Sequence, residues 1–176
     1  VLGGAVYADL VRIDQAVLTV GAVQRTVSLP HILEQSDFDP EGSMVVYRLA
    51  VELPAGAEGL QAIYVPKVSL SARLLSDGQP IWACGSGELS EFRCLHQPHL
   101  IQIPAFLLGD GRHVFEFEVH ADSRQTNGLA PVFVGPFDEV FIEHYLWARF
   151  LKVDLLRALG IFAGVTGLLS LALGLA

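Results

Sequence analysis

The last nineteen residues of the chain, from Ala158 to Ala176, include no charged side chain. In helical form this run is about 30 Å long, which is the thickness of the hydrocarbon core of a bilayer. A core helix of a soluble protein is also apolar, but it rarely lacks charges on every face over such a length. Glycine is also more frequent in membrane helices than in soluble ones. The sequence therefore predicts a transmembrane helix over residues 158–176, with glycines at Gly160, Gly164, Gly167 and Gly174.

A shorter apolar stretch, VLGGAVYA, occupies residues 1–8 and precedes the first acidic residue, Asp9. It is compatible with the end of a signal peptide, with the end of a first membrane helix, and with an ordinary first strand. The residues between the two apolar ends, 9–157, are expected to hold the folded body of the protein.

Apolar and polar residues alternate with a period of two through most of this body. The pattern is clearest in SMVVYRLAVEL, VSLSARLL and RHVFEFEVH, where Phe115, Phe117 and Val119 alternate with Glu116 and Glu118. Such alternation is typical of antiparallel strands with one buried face. Glycine- and proline-rich turns such as LPAGAEG, SDGQP and LGDG separate the strands. We predict an all-β fold, an antiparallel β-sandwich of the jelly-roll kind, over residues 9–137.

The pattern changes to a helical one at Asp138. In DEVFIEHYLWARFLKVDLL, the side chains of Phe141, Tyr145, Ala148 and Leu155 fall near one helical face. Two acids at the start favour a helix N-terminus, because the helix dipole attracts negative charge there. The sequence predicts a juxtamembrane helix over residues 138–157 that leads into the membrane helix.

The charge balance excludes one large class of partners. Between Asp9 and Trp147 there are eight Lys and Arg residues against eighteen Asp and Glu residues. Nucleic acid binding requires concentrated positive charge, so we expect no nucleic acid partner. Three basic residues, Arg149, Lys152 and Arg157, precede the apolar run, whereas basic residues normally stay on the cytoplasmic side. Charge alone therefore does not fix the orientation of the membrane helix.

The chain has two cysteines, Cys84 and Cys94, in the stretch IWACGSGELSEFRCLHQP. Two glycines and several polar residues between them predict a turn that brings the thiols within reach of a disulfide bond. A disulfide implies an oxidising compartment, and we favour this interpretation. Two free thiols and half of a metal site are the alternatives.

Several segments together resemble a known family. These are TVSLPHILEQ followed by VVYRLAVELP, then LSDGQPI, then HQPHLIQIPAFLLGDGRHVFEFEV, and finally NGLAPVFVGPFDEV before an aromatic helix. Their order and spacing over about residues 27–147 resemble the periplasmic galactose-binding-like (jelly-roll) sensory domains of bacterial membrane-bound sensor histidine kinases and diguanylate cyclases. The sequence departs from that pattern in Asp77-Gly78, where relatives often have Asn-Gly, and in its pair of cysteines.

The resemblance implies a location and a way of acting. It implies a β-domain in the periplasm, anchored in the bacterial inner membrane as a homodimer, that feeds a cytoplasmic kinase or cyclase. The residues themselves predict that Gly128 takes a positive φ at a turn, that residues 131–134 form a closing strand, and that Gly135-Pro136 ends it. This rigid stop would couple the sandwich to the helix. The residues expected to form the coupling motif are Asn127, Gly128, Pro131, Gly135 and Pro136.

Catalytic and metal chemistry have little support in the sequence. The serines lack the strand–turn–helix setting of a nucleophile, and no glycine loop precedes a helix to hold a phosphate. Glu116, Glu118 and His120 share a strand face, but neighbours on that face are about 6.6 Å apart along the strand, which is too far without ligands from another strand. We expect no catalytic residue, no cofactor and no metal in this segment.

Ligand binding is the remaining activity for such a domain. An aromatic ring beside arginines could bind a sugar or an organic acid, and a periplasmic protein is the alternative partner. In the competing interpretation, Trp82 fills the core and Arg73 is a solvated strand residue. Two alternative functions are a membrane-anchored carbohydrate-binding or adhesion module without signalling, and the ectodomain of a membrane-tethered glycosidase. The candidate ligand-binding residues near the cysteines are Arg73, Trp82, Phe92, Arg93 and His96.

Overall fold

A computed structural model describes residues 10–34, 37, 43–52, 59–69, 71–85, 94, 97–103, 107, 111–121 and 128–174. Within these ranges the chain forms twelve strands and then one long helix, α1, over Phe137–Gly174. The strands are β1 Val11–Ile13, β2 Gln15–Val20, β3 Val23–Ser28, β4 His31–Ile32, β5 Ser43–Glu52, β6 Gln61–Val65, β7 Ser71–Ser76, β8 Gln79–Cys84, β9 His99–Ile103, β10 Arg112–Ala121, β11 Gly128–Leu129 and β12 Val132–Pro136.

The strands form two main antiparallel sheets. The larger sheet has six strands in the order β3-β2-β5-β10-β7-β8, and the smaller has four in the order β1-β12-β6-β9. Strands β4 and β11 pair as a separate two-stranded ribbon. The predicted all-β sandwich followed by one apolar helix is therefore confirmed.

The period-two alternation produces the buried faces of the sandwich as predicted. Strand β10 pairs with β5 over ten residues, and Phe115 and Phe117 lie opposite Leu49 and Tyr47. All four side chains are buried in a single core formed between the two main sheets. The face that alternates with them carries the charged residues of these strands, so the sequence pattern fixes which side of the sheet is the core.

Ion pairs connect neighbouring strands on the exposed face of the larger sheet. Arg48 of β5 lies 2.7 Å from Glu116 of β10, measured from Nη2 to Oε1. The Nε atom of Arg73 in β7 donates to Oε2 of Glu118 over 2.7 Å. Exposed pairs of this kind stabilise a protein by about 0–1 kcal/mol each, so they add less than the core does.

The strand before the helix differs from the prediction. We expected a strand over residues 131–134 that ends at Gly135-Pro136, and a helix from Asp138. Instead, β12 includes Gly135 and Pro136, which pair with Ala62 and Gln61 of β6. Proline is tolerated at this last strand position because the ladder ends there and no further donor is needed. Helix α1 begins at the next residue, Phe137, and continues without a break through the predicted boundary at residue 158.

Candidate functional site

The candidate site is the junction where α1 packs against the outer face of the smaller sheet. Strand β6 is buried on both of its faces: Ile63 and Val65 belong to the sandwich core, whereas Ala62 and Tyr64 face the helix. From the helix, Val140 is completely buried against them. This second apolar cluster is completed by partly buried side chains of β9, β12, α1 and the residue before β1, namely Leu10, Leu100, Phe133, Phe137, Tyr145 and Ala148.

Aromatic rings make up much of this junction. The ring of His144 stacks on Phe133 of β12 with centroids 4.4 Å apart and lies 5.8 Å from Tyr64. Tyr145 meets Tyr64 edge-on at 6.4 Å. Each such pair contributes about 0.5–1.5 kcal/mol beyond its buried area. Burial, and then the neighbouring Tyr145, raise the pKa of Tyr64, so its ring is neutral at physiological pH.

The chain passes from the sheet to the helix without a linker. The backbone N–H of Phe137 donates to the carbonyl oxygen of Leu60 over 2.8 Å, so the first helical residue is tied to the segment that enters β6. A Cβ at position 135 would lie 3.2 Å from the Cα of Leu10, so glycine there permits β1 to pack closely. The first turns of α1 are thereby fixed to the sheet at both the backbone and the side-chain level.

Gly128 has the positive φ that was predicted, but its position in the fold differs from the prediction. It lies in β11 rather than at the tip of a turn, and its φ is 155°. A Cβ there would lie 1.9 Å from the carbonyl oxygen of His31, so glycine is required by the close approach of the β4 backbone. The backbone N–H of Gly128 also donates to Oγ of Ser69 over 2.7 Å. Of the other predicted coupling residues, Pro131 is half-buried beside this ribbon and Asn127 lies outside the described residues.

The cysteine pair forms a disulfide bond, as predicted, with Cα atoms 5.9 Å apart. His99 of β9 is buried beside it and donates from Nε2 to the carbonyl oxygen of Cys94 over 3.0 Å. The ring of Trp82 lies 4.9 Å from the ring of His99. Burial lowers the pKa of His99 below its ordinary value of 6.5, against a smaller opposing effect of the hydrogen bond to Cys94.

Two of the predicted ligand-binding residues lie on opposite faces of the same sheet. Trp82 pairs with the buried Leu74 and packs against the core, whereas the neighbouring Arg73 pairs with Ala83 and points to solvent. Adjacent residues of a strand face opposite sides, so Arg73 and Trp82 cannot contact the same small molecule. The structure therefore does not bring these two side chains together on one face, and the ligand site stays a prediction. Phe92, Arg93 and His96 lie outside the described residues.

Buried polar residues that the sequence interpretation overlooked lie at one end of β7 and β10. Ser76 and His113 are both buried, and neither Oγ of Ser76 nor Nε2 of His113 has a hydrogen-bond partner within the described ranges. The Nδ1 atom of His113 is 4.0 Å from Oδ2 of Asp77. The sequence contained a signal for these two residues, because Ser76 and His113 both occupy inward positions of otherwise apolar strand faces.

A second set of polar side chains is linked by hydrogen bonds within the protein. Asp37 is buried and accepts two hydrogen bonds from Nη2 of Arg25, at 2.6 and 2.8 Å. Nearby, Nδ1 of His31 and the hydroxyl of Tyr47 are 3.0 Å apart. Burial and then Arg25 lower the pKa of His31, and burial raises that of Tyr47. Since these groups hydrogen-bond to one another, they stabilise the β3–β4 region.

Beyond the junction, α1 loses contact with the sandwich. Among the described residues, α1 is the one helix long and apolar enough to cross a membrane, judged by length and composition alone. No part of its most apolar eighteen-residue window is buried within the protein. Gly160, Gly164, Gly167 and Gly174 have no atom of another element within 4 Å of where a Cβ would lie.

Comparison with known proteins gives a fold but no family. No protein-family model matches the chain, and no curated protein matches it. Solved structures do match over about three quarters of its length. They include an FMN-binding β-glucuronidase from Faecalibacterium prausnitzii L2-6, with 17% identity, 72% of this chain and 22% of that chain covered, and a TM-score of 0.53.

Two further structures match this chain with similar coverage and TM-scores. A calcium-binding mutant of Bacteroides uniformis β-glucuronidase 2 has 15% identity over 72% of this chain and 18% of that chain, with a TM-score of 0.55. A β-D-glucuronidase from Dictyoglomus thermophilum has 10% identity over 75% of this chain and 29% of that chain, with a TM-score of 0.54. The chain therefore spans less than a third of these enzymes. At such low identity the likeness defines the class as a β-sandwich domain, compatible with a galactose-binding-like jelly roll.

Proposed function

We propose that this chain is the extracytoplasmic input domain of a bacterial membrane receptor, in which the sandwich senses a ligand or partner and α1 carries the response through the inner membrane to a cytoplasmic kinase or cyclase. The observation that carries this proposal is the junction. The helix that enters the apolar segment is the same helix that is packed, without a linker, on the smaller sheet.

The junction suits a relay better than a simple tether. A tether needs length and flexibility, and nothing is gained by packing it against the domain it anchors. Here Val140 is completely buried, which stabilises the docked helix by about 1.5–3 kcal/mol before the aromatic pairs are counted. A change in the position of β6 or β12 would therefore move the helix with it, because packed interfaces do not deform gradually.

The spacing along α1 fits a sandwich placed close to a bilayer surface. Ala148 is the last helical residue of the junction cluster, and Ala158 begins the charge-free run. Ten helical residues span about 15 Å, which is enough to cross the interfacial layer of about 5–7.5 Å on one side of a bilayer. Trp147, which is 62% exposed, directly precedes this interval and Phe150 lies within it, and aromatic side chains are enriched near the membrane interface.

The disulfide supports a location outside the cytoplasm, because disulfide bonds persist in oxidising compartments such as the periplasm. A thiol assay on the full-length protein in intact bacteria tests this location. We expect Cys84 and Cys94 to resist alkylation until a reductant is added. Complete alkylation without reductant, at the rate found after denaturation and reduction, would place the sandwich in the cytoplasm and remove the proposal.

The ligand would be a small polar molecule or a periplasmic protein. We place its contact region at the strand ends that hold Ser76, Asp77 and His113, because Oγ of Ser76 and Nε2 of His113 are buried and have no hydrogen-bond partner among the described residues. The receptor would act as a homodimer. The four-residue spacing of Gly160 and Gly164 permits close contact of two membrane helices, which supports this arrangement.

The relay is tested by inserting a flexible segment between β12 and α1 while both elements are kept. Six Gly and Ser residues are inserted between Pro136 and Phe137 in the full-length receptor, and the same insertion at the exposed Gly21–Ala22 turn between β2 and β3 serves as the control. We expect the joint insertion to abolish the output while the thermal unfolding of the sandwich changes little. Full output from the joint insertion would contradict the relay.

A second candidate function is a membrane-anchored carbohydrate-binding module without signalling. It is favoured by the likeness to β-sandwich domains of β-glucuronidases. The same insertion separates the two functions, because an anchored binding module would keep both its binding and its physiological effect when its tether becomes flexible.

A further inference from the structure

The disulfide lies against a buried imidazole in a way that resembles a metal-binding cluster. The two Sγ atoms of Cys84 and Cys94 and one ring nitrogen of His99 all lie within 4.8 Å of one another. Cys94 and His99 are buried and Cys84 is half-buried. Zinc sites place sulfur about 2.3 Å and nitrogen about 2.0 Å from the metal, so their ligand atoms are roughly 3.5–4 Å apart. The three atoms are thus close enough to share one ion once the sulfur atoms separate.

The backbone already permits that separation. The Cα atoms of Cys84 and Cys94 are 5.9 Å apart. After reduction, rotation of the two cysteine side chains about their Cα–Cβ bonds can part the sulfur atoms while the backbone at Cys84 and Cys94 keeps its position. The site therefore needs no refolding of β8, which ends at Cys84.

One ring nitrogen of His99 is engaged by the protein backbone. A carbonyl oxygen can only accept, so the contact of 3.0 Å between Nε2 and the carbonyl oxygen of Cys94 places the proton on Nε2. The other ring nitrogen then keeps its lone pair. Ligating histidines typically donate their second N–H to a carbonyl or carboxylate, which fixes the ring.

We propose that the reduced form of this cluster is a binding site for a thiophilic cation of the Zn²⁺ type, held by Cys84, Cys94 and His99 with a fourth position open. Two thiolates and an imidazole are the donor set that such ions prefer over oxygen-rich sites. The ring of Trp82, 4.9 Å from that of His99, covers part of the site and limits the access of water. This inference is independent of the proposed receptor function.

Metal binding and the disulfide are mutually exclusive states of the same two sulfur atoms. A dithiol reductant supplies two electrons and two protons and becomes a disulfide itself, while the Cys84–Cys94 bond breaks and each sulfur gains a proton. The cation then displaces both protons to solvent as two metal–sulfur bonds form. The site is filled only under reducing conditions. Leu100, the residue after His99, packs in the junction cluster. A change between the two states therefore occurs close to the surface of the smaller sheet on which α1 packs.

Cobalt provides a spectroscopic test on the full chain, purified in detergent. The protein is reduced with a dithiol, freed of reductant without oxygen and titrated with Co²⁺. We expect a thiolate-to-cobalt charge-transfer band that saturates at one equivalent and disappears when Zn²⁺ is added. The oxidised protein should give no band. A reduced protein that gives no band, or binds without saturating at one equivalent, would overturn the site.

Variants assign the ligands. The Cys84→Ser/Cys94→Ser double variant should give no band, and His99→Gln, whose amide can still donate to the Cys94 carbonyl, should bind Zn²⁺ at least about tenfold more weakly. His120→Ala, which changes a histidine of a different strand, β10, is the matched control and should bind Zn²⁺ as the parent protein does. Unchanged affinity in His99→Gln would remove His99 from the site. Should that variant fail to fold, protection of His99 from diethyl pyrocarbonate by Zn²⁺ in the parent protein decides the same question, and equal modification with and without Zn²⁺ contradicts the proposal.

Discussion

The two ends of α1 are parts of one helix with opposite surroundings. Near its start, Val140 is completely buried against β6 and the rings of His144 and Tyr145 pack on the smaller sheet. Near its end, Leu168 is 70% exposed and apolar side chains cover every face. The first part is amphipathic because a protein surface is its partner on one side. The last part is apolar all round, which suits hydrocarbon on every side.

The middle of the helix joins these two environments. Arg149 donates to the hydroxyl of Tyr145 over 2.7 Å and lies 3.8 Å from Asp154. Lys152 and Arg157 complete a charged interval between the docked and the apolar parts. A helix built in this way can transmit a rigid displacement, because the same hydrogen-bonded backbone extends from the sheet into the apolar segment.

The largest expected effect is on the apolar end. Leu168→Arg places a charge in the middle of the predicted span, which opposes membrane insertion by about 3 kcal/mol. We expect a fall of roughly a hundredfold in the ratio of inserted to non-inserted chain, measured by alkaline carbonate extraction of membranes. Leu168→Ala is the control and should stay in the membrane fraction. Full retention of the Arg variant would argue that this end is not surrounded by lipid.

A smaller effect is expected at the docked end. Val140→Ala removes buried apolar surface from the junction and should lower the stability of the docked helix by about 2 kcal/mol. Limited proteolysis around Phe137 should become faster, by roughly thirtyfold if cleavage follows the undocked population. Ile142→Ala, where the parent side chain is 57% exposed, is the matched control. Equal rates for the two variants would mean that the helix is not docked.

A fall in pH should lower the stability of the sandwich but leave the apolar end of the helix unaffected. The folded-state pKa values of His31 and His99 lie below 6.5, so below that pH the unfolded chain takes up protons that the folded chain does not. The contribution of these two histidines to stability is therefore full above pH 6.5 and decreases as the pH falls toward their folded values. In chemical denaturation, the midpoint denaturant concentration should be lower at pH 5.5 than at pH 7.5. This difference between the two midpoints should be smaller in His99→Phe than in the parent protein.

Membrane association of the apolar end should not change over the same pH interval, because residues 158–174 carry no titratable side chain. Release of the chain from membranes at pH 5.5, with the sandwich still folded, would contradict the assignment of this end to lipid.

The smallest effect is expected between the two ends. Tyr145→Phe removes the hydroxyl that accepts from Arg149 but keeps the ring that packs on Tyr64. Exposed contacts between residues four apart on a helix are worth about 0.2–0.5 kcal/mol. The melting temperature should therefore shift by about a degree or two. A loss as large as that of Val140→Ala would show that the charged interval, rather than the apolar cluster, holds the helix in place.

The sequence was informative where a local period decides the structure. Alternation in RHVFEFEVH predicted the inward positions of Phe115, Phe117 and Val119, and all three are buried. Nineteen residues without a charge predicted the apolar helix, and the spacing of the two cysteines predicted their bond. Each of these features depends on residues that are close in the chain.

Features that depend on distant strands were not predicted. Arg73 and Trp82 were grouped because they are close in sequence, but the pairing of β7 with β8 places them on opposite faces. The docking of α1 depends on the order β1-β12-β6-β9, which brings residues 64, 100 and 133 onto one surface. The sequence of β6, QAIYV, did not reveal this surface, because both faces of that strand are buried and its residues show no polar–apolar alternation.

The most direct test of the account is whether the helix and the sheet move as one body in a lipid bilayer. Spin labels at Gln102→Cys in β9 and Ile142→Cys in α1, both exposed positions, report the distance across the junction in the full-length chain with its native disulfide intact. Rigid docking predicts a single narrow distance distribution. Its width should match that of a pair within the sandwich. A broad or bimodal distribution for the junction pair alone would contradict the account.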